Sequence, residues 1–281
     1  MNILSLQSWV SYGHVGNAAA MFPLQRLGAE VWAVHTVQFS NHTGYGDWTG
    51  EVFEGAAISA LIAGIARRGV LSACDAALSG YLGGTDTASA VLEAVRDVKQ
   101  ANARALYCCD PVIGDAGTVY VRDGIPEFLR AKLLPVSDIA TPNSFELSLL
   151  TGGTCTTRSA AKQAVTRLHS VGPRTVLVSG LRTEETPPDA LDLLVGEDGT
   201  FHVLRTPLLP AKLNGAGDML AALFLYHRLA NADARAALER ACSSLFGVIR
   251  CTVKQGGNEL AMVAAQEEFI HPTRKFTAEP C

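Results

Sequence analysis

Short uninterrupted apolar runs recur along this chain, separated by longer segments whose apolar residues return at every third or fourth position. The runs Ile3–Gln7, Val31–Val37, Ala76–Ser79, Ala105–Cys109, Ile139–Thr141 and Thr175–Ser179 read as strands. They show no alternation, as expected of strands covered by helices on both faces, where neither side meets water. The intervening segments Ala18–Leu27, Ala56–Arg67, Thr87–Gln100, Pro126–Leu133, Glu146–Leu150 and Ser159–His169 carry aliphatic residues at helical spacing and predict helices. Strand–helix repetition of this kind predicts an α/β fold, with a central, mostly parallel sheet flanked by helices on both faces. Beyond Ser179 the pattern changes. Asp192–Gly196 and Phe201–Arg205 flank Glu197-Asp198-Gly199 and predict an antiparallel hairpin, followed by two long helices at Asp218–Leu229 and Asp233–Thr252. No 20–50-residue repeat, low-complexity tract or Pro/Gly/Ser-rich linker interrupts the chain, so residues 1–281 are expected to form one domain.

In open α/β sheets, ligands bind beyond the carboxyl ends of the strands. Here those ends carry Gln7-Ser8, Gln38 to Gly44, Ser79 to Gly83, Asp110 to Asp115 and Thr141-Pro142-Asn143. Any one of these is ordinary loop chemistry. Polar and glycine residues at successive strand ends together predict the wall of a site.

Composition narrows the class. The chain is 48% hydrophobic and 18% charged, against roughly 25% charged in average soluble domains, which excludes disorder as its main state. With 23 Lys+Arg against 27 Asp+Glu the net charge is −4, so no basic field is available for nucleic acid and no polybasic segment for a membrane surface. The apolar run Met219–Tyr226 is far shorter than the roughly 20 residues of a membrane span. Seven cysteines, none spaced C-x-x-C, argue against a disulfide framework or a structural zinc site and for reduced, packed thiols. Met1 to Leu6 lacks the basic start of a signal peptide, and a cytoplasmic protein is expected. The seven histidines are scattered without a ligand pattern.

Gly215-Ala216-Gly217-Asp218, directly before an apolar helix, is the sharpest local signal. Small residues at a helix N-terminus leave backbone N–H groups open to an anion, and the helix dipole favours one there. Asp218 stands where a carboxylate can take a proton from an alcohol; read from the tetrapeptide alone, a plain helix cap explains it at least as well. No Gly-Lys dipeptide occurs, so a P-loop is excluded, and Gly13-His14-Val15-Gly16 is only a partial dinucleotide-type loop.

Gln7-Ser8, Gly13 to Asn17, Val37 to Tyr45 (Val-Gln-Phe-Ser-Asn-His-Thr-Gly-Tyr), Ser79 to Gly83, Asp110 to Asp115, Thr141-Pro142-Asn143 with Glu146, and Gly215 to Asp218 occur in that order. Together they resemble the pyridoxal kinases of the ribokinase superfamily, over residues 1 to about 270. The Val-Gln-Phe-Ser-Asn-His-Thr stretch is specific to that family, whereas the glycine turn marks the wider superfamily. The resemblance implies a ribokinase-like fold and ATP-dependent phosphorylation of the 5′-hydroxyl of pyridoxal, with pyridoxine and pyridoxamine as further acceptors. It also implies Mg²⁺ or another divalent cation, a monovalent cation such as K⁺, and a homodimer. By the same match, Asp218 is the catalytic base and Gly215, Ala216 and Gly217 form the anion hole. Ser8, Thr43 and Gly44 contact the pyridine ring, and Phe39 and Tyr81 wall it. Asp110, Thr141, Asn143, Glu146 and Ser179 face ATP, and Asp110, Asp115 and Glu146 form the acidic set for the metal.

Plainer alternatives stand beside several of these assignments. Asn143 can simply cap the helix that leads to Glu146, Tyr81 can be core, Asp115 can be a turn residue, and His42 is read as structural. The chain departs from the family pattern at Trp9, Ala216 and Ser179. The Asp115–Tyr120 loop also lacks the Gly-Cys of some bacterial members, which argues against a thiol contact with the aldehyde. Two other readings stay open: a kinase for a related heterocycle such as hydroxymethylpyrimidine, and a pyridoxal-binding protein with little turnover.

Overall fold

Alternate residues of the central strands go to two separate cores, and this explains the unbroken apolar runs. The computed structural model describes residues 1–281. In chain order its elements are β1 (Asn2–Val10), α1 (Asn17–Arg26), β2 (Glu30–Phe39), β3 (Gly50–Val52), α2 (Gly55–Ala66), β4 (Ala76–Ser79), α3 (Thr85–Ala101), β5 (Leu106–Cys109), β6 (Gly114–Asp115) and β7 (Thr118–Val119). They continue with α4 (Ile125–Phe128), β8 (Ile139–Ala140), α5 (Ser144–Thr151), α6 (Arg158–His169), β9 (Thr175–Leu181), β10 (Ala190–Glu197), β11 (Thr200–Pro207), α7 (Ala216–Leu229), α8 (Ala234–Gln255) and β12 (Glu279–Pro280). Leu4, Ala77, Tyr107, Ala140 and Val176 pack with residues of α2, α3, α5 and α6. Ile3, Leu78, Cys108, Ile139 and Leu177 pack on the other face with α1, α7 and α8. A period of two along each strand therefore divides the same apolar run between two helical layers.

The main sheet has ten strands in the order β12-β11-β10-β9-β8-β5-β4-β1-β2-β3. Six of them, β9, β8, β5, β4, β1 and β2, run parallel. The expected hairpin is present as antiparallel β10–β11, with β10 also antiparallel to β9. β6 and β7 form a separate two-stranded hairpin. No helix is long and apolar enough to cross a membrane.

Two expectations need correction. The single helix read over Pro126–Leu133 is an α-turn at Ile125–Phe128 followed by a wider turn at Leu129–Leu133, because Pro135 has no N–H with which to continue an α-ladder. The helix expected from Asp218 starts two residues earlier, at Ala216. The strands β3, β6, β7 and β12 span two or three residues each, too few to show a period.

One local device ties the fold to the strand ends. Asn143 caps α5, its Oδ1 accepting the Glu146 N–H at 2.8 Å, and Glu146 Oε2 accepts the Asn143 N–H at 2.9 Å, closing a capping box. Glu146 Oε1 also accepts the N–H groups of Ile113 (2.8 Å) and Gly114 (3.3 Å), and Asn143 Nδ2 donates to Gly114 O at 2.8 Å. Burial pushes the Glu146 carboxyl up to about 7, against the downward pull of these N–H groups. Replacing Glu146 with Ala strands buried donors at Ile113 and Gly114. Glu146→Ala is expected to lower stability by at least about 2 kcal/mol, a Tm decrease of roughly 5 °C or more; an unchanged melting curve would exclude this role for the box.

Candidate active site

The chain leaves β1 in one direction to reach β2 and returns on its other side through β4, β5, β8 and β9, so β1 is the point where the strand order reverses. The residues singled out from the sequence divide along this edge. Ser8, Phe39, Thr43, Gly44 and Tyr81 lie at or just beyond β1, β2 and β4. Asp110, Thr141, Asn143 and Ser179 lie at β5, β8 and β9. At about 4.8 Å between strands, the six parallel strands span roughly 24 Å, enough for two small molecules end to end.

The glycine turn stands over this edge. Gly215 is the N-cap of α7 at φ 81°, and no side chain caps the helix. Asp218 is therefore the third helical residue and not the cap. The first helical hydrogen bond is from Met219 N–H to Gly215 O at 3.0 Å, so the N–H groups of Ala216, Gly217 and Asp218 have no backbone carbonyl partner. A Cβ on Gly217 would meet nothing within 4 Å, which leaves open space in front of these donors. The chemistry available there is anion binding beside a carboxylate.

Asp218 is half-buried. Burial raises its carboxyl above the ordinary Asp value, and the Gly16 N–H pulls it partly back. Asp110 is 5% exposed and accepts the Thr141 hydroxyl on Oδ1 at 2.9 Å, with no protein donor on Oδ2. Its carboxyl is held well above the usual range, first by burial and then by the charges of Asp218 and Glu146. This crowding of acids is the environment a divalent cation would relieve, so Asp110 with its free oxygen fits such an ion. The three expected metal residues do not converge as a closed ligand set. Glu146 already receives backbone N–H groups on both oxygens, and Asp115 is exposed on β6 with Oδ1 accepting the Ala116 N–H at 2.8 Å. Ser179 and Asn143 sit side by side across the ends of β9 and β8, with Ser179 N–H bonded to Pro142 O at 3.1 Å.

On the β1–β2–β4 side, Phe39 packs with Val10, Val15 and Val37, and Tyr81 lies against this cluster. Thr36 Oγ1 donates to Tyr81 O at 2.6 Å and fixes its backbone. Thr43 and Gly44 lie exposed in a 3₁₀ turn, Thr43–Tyr45, capped by His42, whose Nδ1 accepts the Gly44 N–H at 3.0 Å. Burial lowers the His42 imidazole, keeping the ring neutral and able to accept. The structural reading of His42 thus has a specific content. Ser8 Oγ lies so close to Gly16 that a Cβ there would sit 2.3 Å away. Trp9 packs on His35, with ring centroids 4.9 Å apart.

The structure adds three residues that the sequence reading missed. Trp48 stacks on Phe39 at 4.2 Å. The hydroxyl of Tyr120, beyond β7, is pushed up by burial and then by the charges of Glu146, Asp218, Asp110 and Asp115. Glu259 joins the loops that follow β1 and β2, accepting the His14 N–H and the Tyr45 hydroxyl. Aromatic residues beside the motifs at 39–45 and 110–115 gave a usable signal for the first two; Glu259 adjoins no motif.

Comparison with known proteins agrees with this geometry. Residues 60–262 match the family model described as phosphomethylpyrimidine kinase. The chain is 58% identical over 286 residues to pyridoxal kinase PdxY of Granulibacter bethesdensis, covering all of both chains. It is 48% identical to pyridoxal kinase PdxY of Corynebacterium diphtheriae, covering 99% of both. Among solved structures, pyridoxal kinase from Leishmania donovani in complex with ADP and pyridoxamine superposes with a TM-score of 0.93 at 30% identity, covering 100% of this chain and 99% of that one. The fold is accordingly ribokinase-like, and the chain belongs to the pyridoxal kinase family.

Proposed function

We propose that this protein phosphorylates the 5′-hydroxyl of pyridoxal from ATP, with Asp218 as the base. The observation that carries the assignment is the α7 N-terminus: a helix start without a side-chain cap, which sets a desolvated carboxylate beside open N–H groups and the empty space over Gly217. The Asp218 carboxylate accepts the proton of the hydroxymethyl group as its oxygen bonds to the γ-phosphorus. The bond from that phosphorus to the β–γ bridging oxygen breaks, and ADP leaves. The transition state is loose and spreads charge over the phosphoryl oxygens, so correctly placed donors matter more than a strong base. The N–H groups of Ala216 to Asp218 face that charge. Ser8, Thr43 and Gly44 bind the ring edge, with Phe39 and Tyr81 as walls, while Thr141, Asn143 and Ser179 line the nucleotide half. Asp110 would hold a divalent cation directly, with Glu146 and Asp115 acting through water, and the ion would neutralise phosphate charge. A protein that only stored pyridoxal would have no use for an open anion site beside a carboxylate.

We further propose that residues 1–281 act as one cytoplasmic domain and pair as a homodimer. In support of pairing, α2 carries no charged residue, and Ala56, Ala57, Ala60, Leu61 and Ala63 are exposed on it.

A coupled assay with Mg-ATP should give turnover with pyridoxal. Turnover of hydroxymethylpyrimidine instead would promote the activity named by the family model. Asp218→Asn should reduce kcat by at least about 10³-fold, and because it removes a charge from a desolvated position, Tm should not fall. In the wild type, the acid limb of kcat/KM should lie above the ordinary Asp value, since the raised carboxyl takes up its proton, and rate is lost, as pH falls through it. Thr43→Val should raise the pyridoxal KM more than the ATP KM; the reverse order would place Thr43 on the nucleotide side. Leu61→Glu should shift the sedimenting species from dimer to monomer, and a monomeric wild type would exclude the dimer.

A further inference from the structure

Glu259 follows α8 in the segment Gly256-Gly257-Asn258-Glu259, and its side chain is only 15% exposed. Oε2 accepts the backbone N–H of His14 at 2.9 Å, and Oε1 accepts the hydroxyl of Tyr45 at 2.5 Å. Those donors lie 245 and 214 residues away in sequence. His14 belongs to the turn between β1 and α1. Tyr45 ends the turn that presents Thr43 and Gly44. The fit is tight on both sides of His14. A Cβ on Gly13 would lie 2.6 Å from Glu259 Oε1, and the His14 carbonyl oxygen rests against Gly215, where a Cβ would lie 1.7 Å from it.

No Lys or Arg pairs with Glu259; the nearest ionisable ring is that of His14, at 3.9 Å, and the His42 ring also feels its charge. A largely buried carboxylate without a basic partner is unfavourable unless hydrogen bonds hold it. Here both oxygens receive donors, and charge-assisted bonds of this kind are about twice as strong as neutral ones. The contacts form a chain from Tyr45 through Glu259 and His14 to Gly215. The two ends of that chain are the loop over the vitamin-side half and the anion-binding turn.

We propose that Glu259 is a positioning residue for the kinase reaction, clasping the Thr43–Tyr45 turn over the vitamin and seating the His14 turn against Gly215, so that the acceptor hydroxyl and the phosphoryl group meet in register. The inference rests on the kinase reading. It assigns the two oxygens different jobs: Oε1 closes the vitamin side, and Oε2 holds the backbone behind the anion turn.

The test compares Tyr45→Phe, Glu259→Gln and Glu259→Ala with the wild type, using steady-state kinetics with pyridoxal and Mg-ATP and calorimetric binding of pyridoxal alone. Tyr45→Phe removes one exposed hydroxyl and should raise the pyridoxal KM and Kd about tenfold, while the ATP KM moves less than about twofold. Glu259→Ala should add a loss in kcat of about tenfold or more, because the His14 N–H also loses its acceptor. Glu259→Gln keeps an acceptor for that N–H and should recover most of the kcat. A wild-type pyridoxal Kd in Tyr45→Phe would overturn the proposal. So would a Glu259→Ala protein whose losses fall equally on pyridoxal and ATP and follow its loss of Tm. A wild-type protein that binds pyridoxal without turnover would sink the kinase reading, and the Kd series would still decide the clasp.

Discussion

No side chain fits between residue 215 and the carbonyl oxygen of His14, where a Cβ would lie 1.7 Å from that oxygen. The backbone there also holds φ at 81°, a region that L side chains rarely adopt. This close approach joins the first loop of the fold to the start of α7. Everything at the site depends on it, because it brings the open N–H groups of α7 to the strand edge at the reversal point. From there one half of the edge carries Ser8, Phe39, Thr43, Gly44 and Tyr81, and the other half carries Asp110, Thr141, Asn143 and Ser179. A larger residue at 215 would push the start of α7 away from the loop that follows β1.

The same arrangement concentrates charge that a soluble protein would ordinarily disperse. Asp110 and Asp218 are both desolvated, Asp110 feels Asp218 and Glu146, and the same charges help to raise the hydroxyl of Tyr120. Burial and mutual repulsion therefore disfavour the charged forms of these carboxylates, an electrostatic cost that a nearby cation would relieve. The net charge of −4 says little about this, since a handful of acids on one edge fixes the local potential. Glu146 belongs to the cluster by position but is committed to holding the Ile113–Gly114 turn and the α5 cap. At Asn143 the capping role is the one the structure shows, and the residue stands next to Ser179 across the ends of β8 and β9.

Much of the molecule was legible without coordinates, for physical reasons that differ from one part to another. The buried strands were readable because both faces are covered, so Ala76–Ser79 matches β4 end for end. Helix interiors followed from their period, while ends such as Ala216 slipped by two residues because glycine and alanine carry no capping signal. The short edge strands β3 and β12 held too few residues to leave a pattern. Phe39 and Tyr81 share one apolar cluster, and Trp48, close beyond the 39–45 motif, packs on Phe39, a contact set by the path of the loop and not by spacing along the chain.

The sequence by itself determined the layer architecture, the family, the glycine turn and the order of the strand-end residues. Those properties are encoded locally, in runs, periods and short motifs that survive without tertiary context. Only the tertiary structure decided which of those residues meet. That Asp218 does not cap its helix, that Glu146 is held by backbone donors, and that Glu259 bonds to groups 214 and 245 residues away all depend on contacts between distant segments. Burial, which sets the carboxyl shifts, likewise exists only once the chain has closed around them, so no spacing along the chain could have announced it.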